Sequence, residues 1–211
     1  MGFAADREIY DHARMITMHD EEIVRVPAVL DAIGRDGAAL GFAMASESKT
    51  GALLRALVAA KPGGRFLELG TGTGIGTAWL LDGMDRSASL LTVDSDPQVV
   101  EVARRHLGHD ARMTFRIGDG GAILDEMAPQ QQFDLIYADA WPGKYTHLDR
   151  TLSLLAIGGI YFIDDLLPQA NWPEGHAARV PPLIADLEQR RGFVPVKLAW
   201  ASGLMMLVRS L

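Results

Sequence analysis

The chain has 211 residues, of which 48% are hydrophobic and 22% charged, enough apolar material to bury a sizeable core and too much for disorder. A formal net charge of -7 disfavours broad electrostatic binding to nucleic acid or to anionic membranes, and the absence of cysteine excludes disulfides, thiolate catalysis and zinc–thiolate sites. No apolar run approaches the roughly 20 residues of a membrane span, and the opening MGFAADREIYDHARM lacks a signal-peptide pattern, so a cytoplasmic protein without a membrane partner is expected.

The first 60 residues look helical and are read as an N-terminal cap on the rest. From Arg65 onward, short apolar runs alternate with helical patterns. RFLEL (65–69) predicts a strand and GIGTAWLLDGM a helix. LLTVD (90–94) predicts a second strand, followed by a helix that Asp96 caps and Pro97 opens. MTFRI (113–117) is the third strand and GAILDEMA the next helix. FDLIYAD (133–139) is the fourth strand. HLDRTLSLLAI (147–157) is expected to be a helix stopped by Gly158 and Gly159, with IYFID (160–164) as the fifth strand. A Pro-interrupted loop leads to a helix over 176–191, and FVPVKLAWASGLMMLVRSL reads as a hairpin joined at Ser202-Gly203. The pattern predicts an α/β fold of the doubly wound, Rossmann-like kind. It has a mostly parallel seven-stranded sheet, a C-terminal antiparallel hairpin and an N-terminal helical cap. One domain is expected over 1–211, with the cap at 1–60 and the α/β core at 61–211.

In such sheets ligands bind beyond the carboxyl ends of the strands. The first strand ends Glu68-Leu69-Gly70-Thr71-Gly72-Thr73-Gly74, which lets the backbone turn sharply against a ligand. The dinucleotide register Gly-x-Gly-x-x-Gly/Ala fails, because its last position falls on Ile75 or Thr77. Glu68 suits a ligand with an ammonium group. Asp94, with Ser95 beside it, closes the second strand, where a carboxylate can accept from ribose hydroxyls of either cofactor type. Asp119-Gly120 follows the third strand. The pair Asp164-Asp165 ends the fifth strand, next to Asp139 at the end of the fourth. Two adjacent carboxylates there either face solvent or flank something positive.

The Glu-x-Gly-x-Gly-x-Gly turn resembles motif I of class I S-adenosylmethionine-dependent methyltransferases. The stretch from about Met44 to Asp165 is similar to the cation-dependent O-methyltransferases, the catechol and caffeoyl-CoA O-methyltransferase group. The resemblance implies S-adenosylmethionine as cofactor. Met44, Ser46, Glu68, Gly70, Thr71, Gly72 and Gly74 are then expected at its methionine end, Asp94 and Ser95 at the ribose, and Asp119, Gly120 and Trp141 near adenine. It implies a divalent cation, Mg²⁺ first and Mn²⁺ or Ca²⁺ as variants, held by Asp139, Asp164 and Asp165, whose oxygens suit a hard ion. It also implies a small hydroxylated acceptor, catechol-like, and a homodimer.

Two positions depart from that family's pattern. Asp165 stands where Asn is usual. The family's catalytic Lys falls three residues after the metal Asp; here that position is Pro142, and Lys144 lies five after. Lys144 is expected to serve as general base if the Trp141-Pro142-Gly143-Lys144 segment turns back to the site, with Asp139 as the other catalytic residue. The competing readings are a metal-independent methyltransferase, a non-catalytic S-adenosylmethionine-binding module, and a nicotinamide enzyme, the last set back by its failed glycine register. His176 is read as a helix start, with a place at the substrate mouth as the alternative. His106 and His109 are given no function, Trp172 a place in an acceptor pocket, Trp200 a packing role, and Met205-Met206 one inward and one outward position.

Overall fold

The computed structural model describes residue 20 and residues 22–211. The expected cap is described only from there on, so that reading of residues 1–19 and 21 lies outside the described residues. The cap contributes α1 (Leu30–Ala39) and α2 (Ser48–Ala59). The alternating core follows: β1 (Arg65–Leu69), α3 (Ile75–Gly83), β2 (Ser89–Asp94), α4 (Pro97–Leu107), β3 (Met113–Ile117), α5 (Gly120–Glu126) and β4 (Phe133–Ala138). Then come α6 (Leu148–Ser153), β5 (Leu155–Ile163), α7 (His176–Glu188), β6 (Phe193–Leu198) and β7 (Leu204–Arg209). The seven strands run in the order β3-β2-β1-β4-β5-β7-β6, parallel from β3 to β5 and antiparallel at the β7–β6 end. The expected fold class is the observed one.

Period-two alternation divides each strand between two cores. Leu67, Leu69, Ile136, Ala138, Tyr161 and Ile163 face α5, α6 and α7, where Leu124, Leu152 and Leu187 close over them. Phe66, Leu135, Tyr137, Ile160 and Phe162 face the other way, onto Ile33, Leu54, Trp79 and Val102 of α1 to α4. Because both faces are covered, the central strands read as continuous apolar runs. Met205 is fully buried against the first core and Met206 packs, partly covered, against the second, as alternation requires.

One boundary differs from expectation. The helix read over 147–157 ends at Ser153, and β5 begins at Leu155, so Gly158 and Gly159 lie inside the strand. Leu155 pairs with Phe133, after which the β4–β5 register shifts. An unbroken apolar run gives no period to separate a buried helix end from a buried strand start, and pairing to β4 decides it.

Strand order reverses between β1 and β4, opening the crevice typical of such sheets. The loop after β4 folds back into it. The backbone N–H groups of Lys144, Tyr145 and Thr146 all donate to the Trp141 carbonyl, and the Tyr161 hydroxyl donates to the Gly143 carbonyl at 2.7 Å. Gly143 has φ +90°, and a Cβ there would lie 2.3 Å from Leu69 Cδ1. Gly143→Ala is therefore expected to lower stability by about 2–4 kcal/mol, from overpacking and left-handed strain together. Denaturant unfolding checks this; a loss within experimental error would mean that the loop can move away at no cost.

Candidate active site

The ends of β1, β2, β4 and β5 surround a cavity of about 590 Å³, a size suited to a small ligand or cofactor. Of the residues singled out in the sequence, Met44, Ser46, Gly70, Gly72, Asp94, Ser95, Asp139, Trp141, Lys144, Asp164 and Asp165 all line it. Gly70 is fixed by its surroundings. Its φ is +107°, and a Cβ would lie 2.8 Å from the Asp139 carbonyl oxygen, so the first turn and the end of β4 can touch only through glycine. The Asp94 carboxylate accepts from the Gly72 N–H at 2.8 Å and the Asp96 N–H at 2.9 Å, which ties the glycine turn to the end of β2.

The other expected cofactor residues lie apart from the lining. Glu68 and Thr71 are buried beneath it. Glu68 Oε2 accepts from the Thr77 and Thr92 hydroxyls at 2.5 and 2.6 Å, while Oε1 has no hydrogen-bond partner. Gly74 packs towards Ala103 of α4. Asp119 caps α5 by accepting from the Ala122 N–H at 2.8 Å, and Gly120 follows it in that helix; neither lines the cavity.

Beside the glycine turn stands a cluster of acids. One carboxylate oxygen from each of Asp139, Asp164 and Asp165 lies within 4.8 Å of the others. Asp164 is buried and accepts from the Tyr137 hydroxyl at 2.8 Å through Oδ2. Its Oδ1 lacks a hydrogen bond and lies 3.5 Å from the buried Lys144 ammonium, an ion pair without hydrogen-bond geometry. The Ser46 hydroxyl donates to Asp139 at 3.4 Å. Burial and the Asp164 charge push Asp139 well above the usual carboxylate range, against the pull of Lys144. The same causes raise Asp165 to about 6. Burial alone would lower Lys144, but the charges of Asp164, Asp139 and Asp165 outweigh it and hold the ammonium above its ordinary pKa. Asp165 has φ +56°, a conformation that short polar side chains such as Asp and Asn tolerate. The backbone therefore accepts either residue, and the extra charge is a separate choice.

The three carboxylates fit a hard cation. They offer only oxygen, include a buried oxygen with no hydrogen bond, and carry more negative charge than one lysine offsets. Among the described residues they are the only cluster of three or more potential ligating residues found.

The aromatic wall was foreseen in part, through Trp172 and, as an alternative, His176; Tyr145 was not foreseen. Tyr145, Trp172 and His176 line the cavity, as do Gln169 and Asn171. His176 does start α7, as expected, but it is also buried and stacks on Trp172 at 4.5 Å. Its Nε2 lies 3.1 Å from both the Tyr145 hydroxyl and the Asp165 carbonyl oxygen. The signal for Tyr145 was its place beside Lys144; for His176 it was the Trp172 four residues earlier. His106 contacts Asp36 at 2.9 Å, away from the cavity.

Comparison with known proteins identifies the family. An O-methyltransferase family model matches residues 30–181, and the chain belongs to that family. A Mycobacterium leprae (strain Br4923) protein, MLBr01075, provisionally named an O-methyltransferase, is 28% identical over 141 residues, covering 65% of this chain. The chain spans 62% of that relative's length. The crystal structure of a provisionally named O-methyltransferase from Klebsiella pneumoniae superposes with a TM-score of 0.78 at 23% identity, covering 90% of this chain and 93% of that one. An O-methyltransferase from Bacillus cereus, solved in complex with SAH, gives 0.73 at 19% identity over 90% of this chain and 94% of that one. Those two structures share the fold. No helix among the described residues is long and apolar enough to cross a membrane.

Glu68 offers a test that needs no ligand. Burial holds its pKa at about 7, against 4.5 for an exposed glutamate, with Asp94 adding to the rise and the two threonine hydroxyls opposing it. The folded state thus keeps a proton that the unfolded chain releases. Its stabilising effect is complete below pH 4.5 and declines as pH rises through about 7. The melting temperature of the ligand-free protein is expected to fall across that window, and Glu68→Gln is expected to flatten the slope. An equal slope in wild type and variant would contradict the assignment.

Proposed function

We propose that the chain is an S-adenosylmethionine-dependent O-methyltransferase that methylates a hydroxyl of a small aromatic, catechol-like acceptor with help from a divalent cation. The observation that carries the reading is the convergence of Asp139, Asp164, Asp165 and Lys144 on one cavity with the glycine turn and Asp94. Family membership and the bound SAH of the Bacillus cereus structure support the cofactor. Bound S-adenosylmethionine supplies an electrophilic methyl group on a sulfonium. A divalent cation, when bound, supplies Lewis acidity that makes an acceptor hydroxyl easier to ionise.

The chain's own residues align the reactants. Gly70 and Gly72 let the backbone approach the methionine end, Ser46 closes it from the cap, and Asp94 receives the ribose hydroxyls. Glu68 lies just below, buried, with Oε1 unbonded. Trp141 lines the same cavity. Orienting two reactants this way is worth about 7–11 kcal/mol of barrier. Asp139, Asp164 and Asp165 would hold the cation. Lys144 would take the acceptor proton: its ammonium is held by unbalanced carboxylates in the ligand-free site, and its pKa falls once their charge is otherwise offset. The extra charge of Asp165 favours a tightly held ion. A homodimer is part of this reading from family likeness alone.

The second reading is metal-independent transfer, favoured by the Lys144–Asp164 ion pair, which already offsets part of the acidic charge. Methyl transfer to a catechol panel, with Mg²⁺ and then with EDTA, separates the two. The first reading predicts loss of activity in chelator and recovery with added Mg²⁺. Undiminished activity in EDTA would favour the second. Lys144→Met is expected to lower kcat by about 10²–10⁴-fold with cofactor binding retained, read by single-turnover kinetics and calorimetry; an unchanged kcat removes Lys144 as the base.

A further inference from the structure

The wall of the cavity contains hydrogen-bond donors for which the methyl-transfer chemistry has no use, and an exposed cation outside the lining stacks on one of its rings. His176 Nε2 faces two oxygens, the Asp165 carbonyl and the Tyr145 hydroxyl, each at 3.1 Å. A carbonyl oxygen can only accept, so Nε2 carries the proton and has no lone pair for Tyr145. The Tyr145 oxygen is then an acceptor in that contact, and its own proton remains to be donated elsewhere. Burial raises the Tyr145 pKa, so the phenol keeps that proton. Trp172, stacked on the same imidazole, has an indole N–H that is buried without an acceptor. A donor left unpaired in this way costs stability.

Beside these donors lies a cation. The Arg179 guanidinium sits 4.4 Å over the Trp141 ring, which lines the cavity and is 37% exposed. Among the described residues Arg179 has no carboxylate partner, and Trp141 in turn meets Tyr145 edge-on at 5.9 Å. The acidic cluster can bind the hydroxyl end of an acceptor but repels an anion. A negative group on the acceptor therefore belongs on the Trp141 side of the cavity, where the Arg179 guanidinium stacks on that ring from outside the lining.

We infer that the acceptor is an anionic aromatic, a ring bearing both a hydroxyl and a carboxylate, and that Arg179 and Tyr145 determine specificity by binding the carboxylate. This rests on the methyl-transfer reading for the hydroxyl end, but the carboxylate end can be tested without turnover. Calorimetry on the full chain saturated with S-adenosylhomocysteine and Mg²⁺ would compare 3,4-dihydroxybenzoate with its methyl ester, in wild type, Arg179→Met, Arg179→Lys and Tyr145→Phe. Arg179 is exposed, so its variants are expected to fold, which circular dichroism checks. The wild type is expected to prefer the acid by at least about tenfold. Arg179→Met should bring the ratio near one by weakening the acid alone. Arg179→Lys should restore part of the preference, and Tyr145→Phe should reduce it. A wild-type ratio near or below one, or no binding of the acid, overturns the inference, as does a preference that survives in Arg179→Met. A preserved preference with no methyl transfer to either compound would instead count against the proposed function and leave the anion site standing.

Discussion

Three carboxylates within 4.8 Å of one another are the constraint on which the rest of the site depends. Each like-charged pair at that separation costs about 3–4 kcal/mol at an effective dielectric near 20, so the ligand-free cluster cannot be fully ionised beside one ammonium. The fold forces the proximity. β4 and β5 are parallel neighbours, so their carboxyl ends lie side by side, and Asp139 follows one while Asp164 and Asp165 follow the other. The raised pKa values of Asp139 and Asp165, the raised Lys144 and the unbonded Oδ1 of Asp164 all express one imbalance.

The surroundings preserve that imbalance instead of relieving it. The Tyr137 hydroxyl bonds one oxygen of Asp164 and stays protonated, because burial and then the charges of Asp139 and Asp164 push its pKa far up. The 141–146 turn fixes Lys144 through three N–H bonds to one carbonyl, and Tyr161 anchors the turn from below. The loop after β5 is tied to the hairpin by Leu166 and Leu167, whose N–H groups donate to the Gly203 and Ser202 carbonyls. The sheet thus supplies proximity, and the loops supply rigidity. A site held in this way carries more negative charge than Lys144 offsets, and it is fixed in advance, which is what electrostatic preorganisation requires.

Much of this was legible in the sequence, for identifiable reasons. Strand ends are where open α/β sheets bind ligands, so residues such as Asp94, Asp139 and Asp164 could be placed without coordinates. Asp96 and Pro97 marked the start of α4, and the Asp96 side chain does cap it. Three things were not legible. The end of α6 failed because LSLLAIGGIYFI carries no period that separates helix from strand. The cap that the Asp119 carboxylate forms on α5 was missed, because the same residue type serves capping and ligand binding at the same kind of strand end. The wall of Tyr145 and His176, with Arg179 outside it, is assembled from two segments separated by β5, and no local spacing in the sequence brings them together. Lys144 lay between these cases. Its two-residue offset from the family pattern left its position open, and the turn through Gly143 brings it to Asp164.

The central claim is that the Asp139–Asp164–Asp165 cluster is built around a divalent cation. A crystal structure of the S-adenosylhomocysteine complex grown with Mn²⁺, with anomalous data collected near the manganese edge, tests it most directly. The account predicts a single anomalous peak bonded to oxygens of all three aspartates, with Lys144 still beside the cluster. No peak there, with the Lys144 ammonium lying among the three carboxylates at full Mn²⁺ concentration, would contradict it.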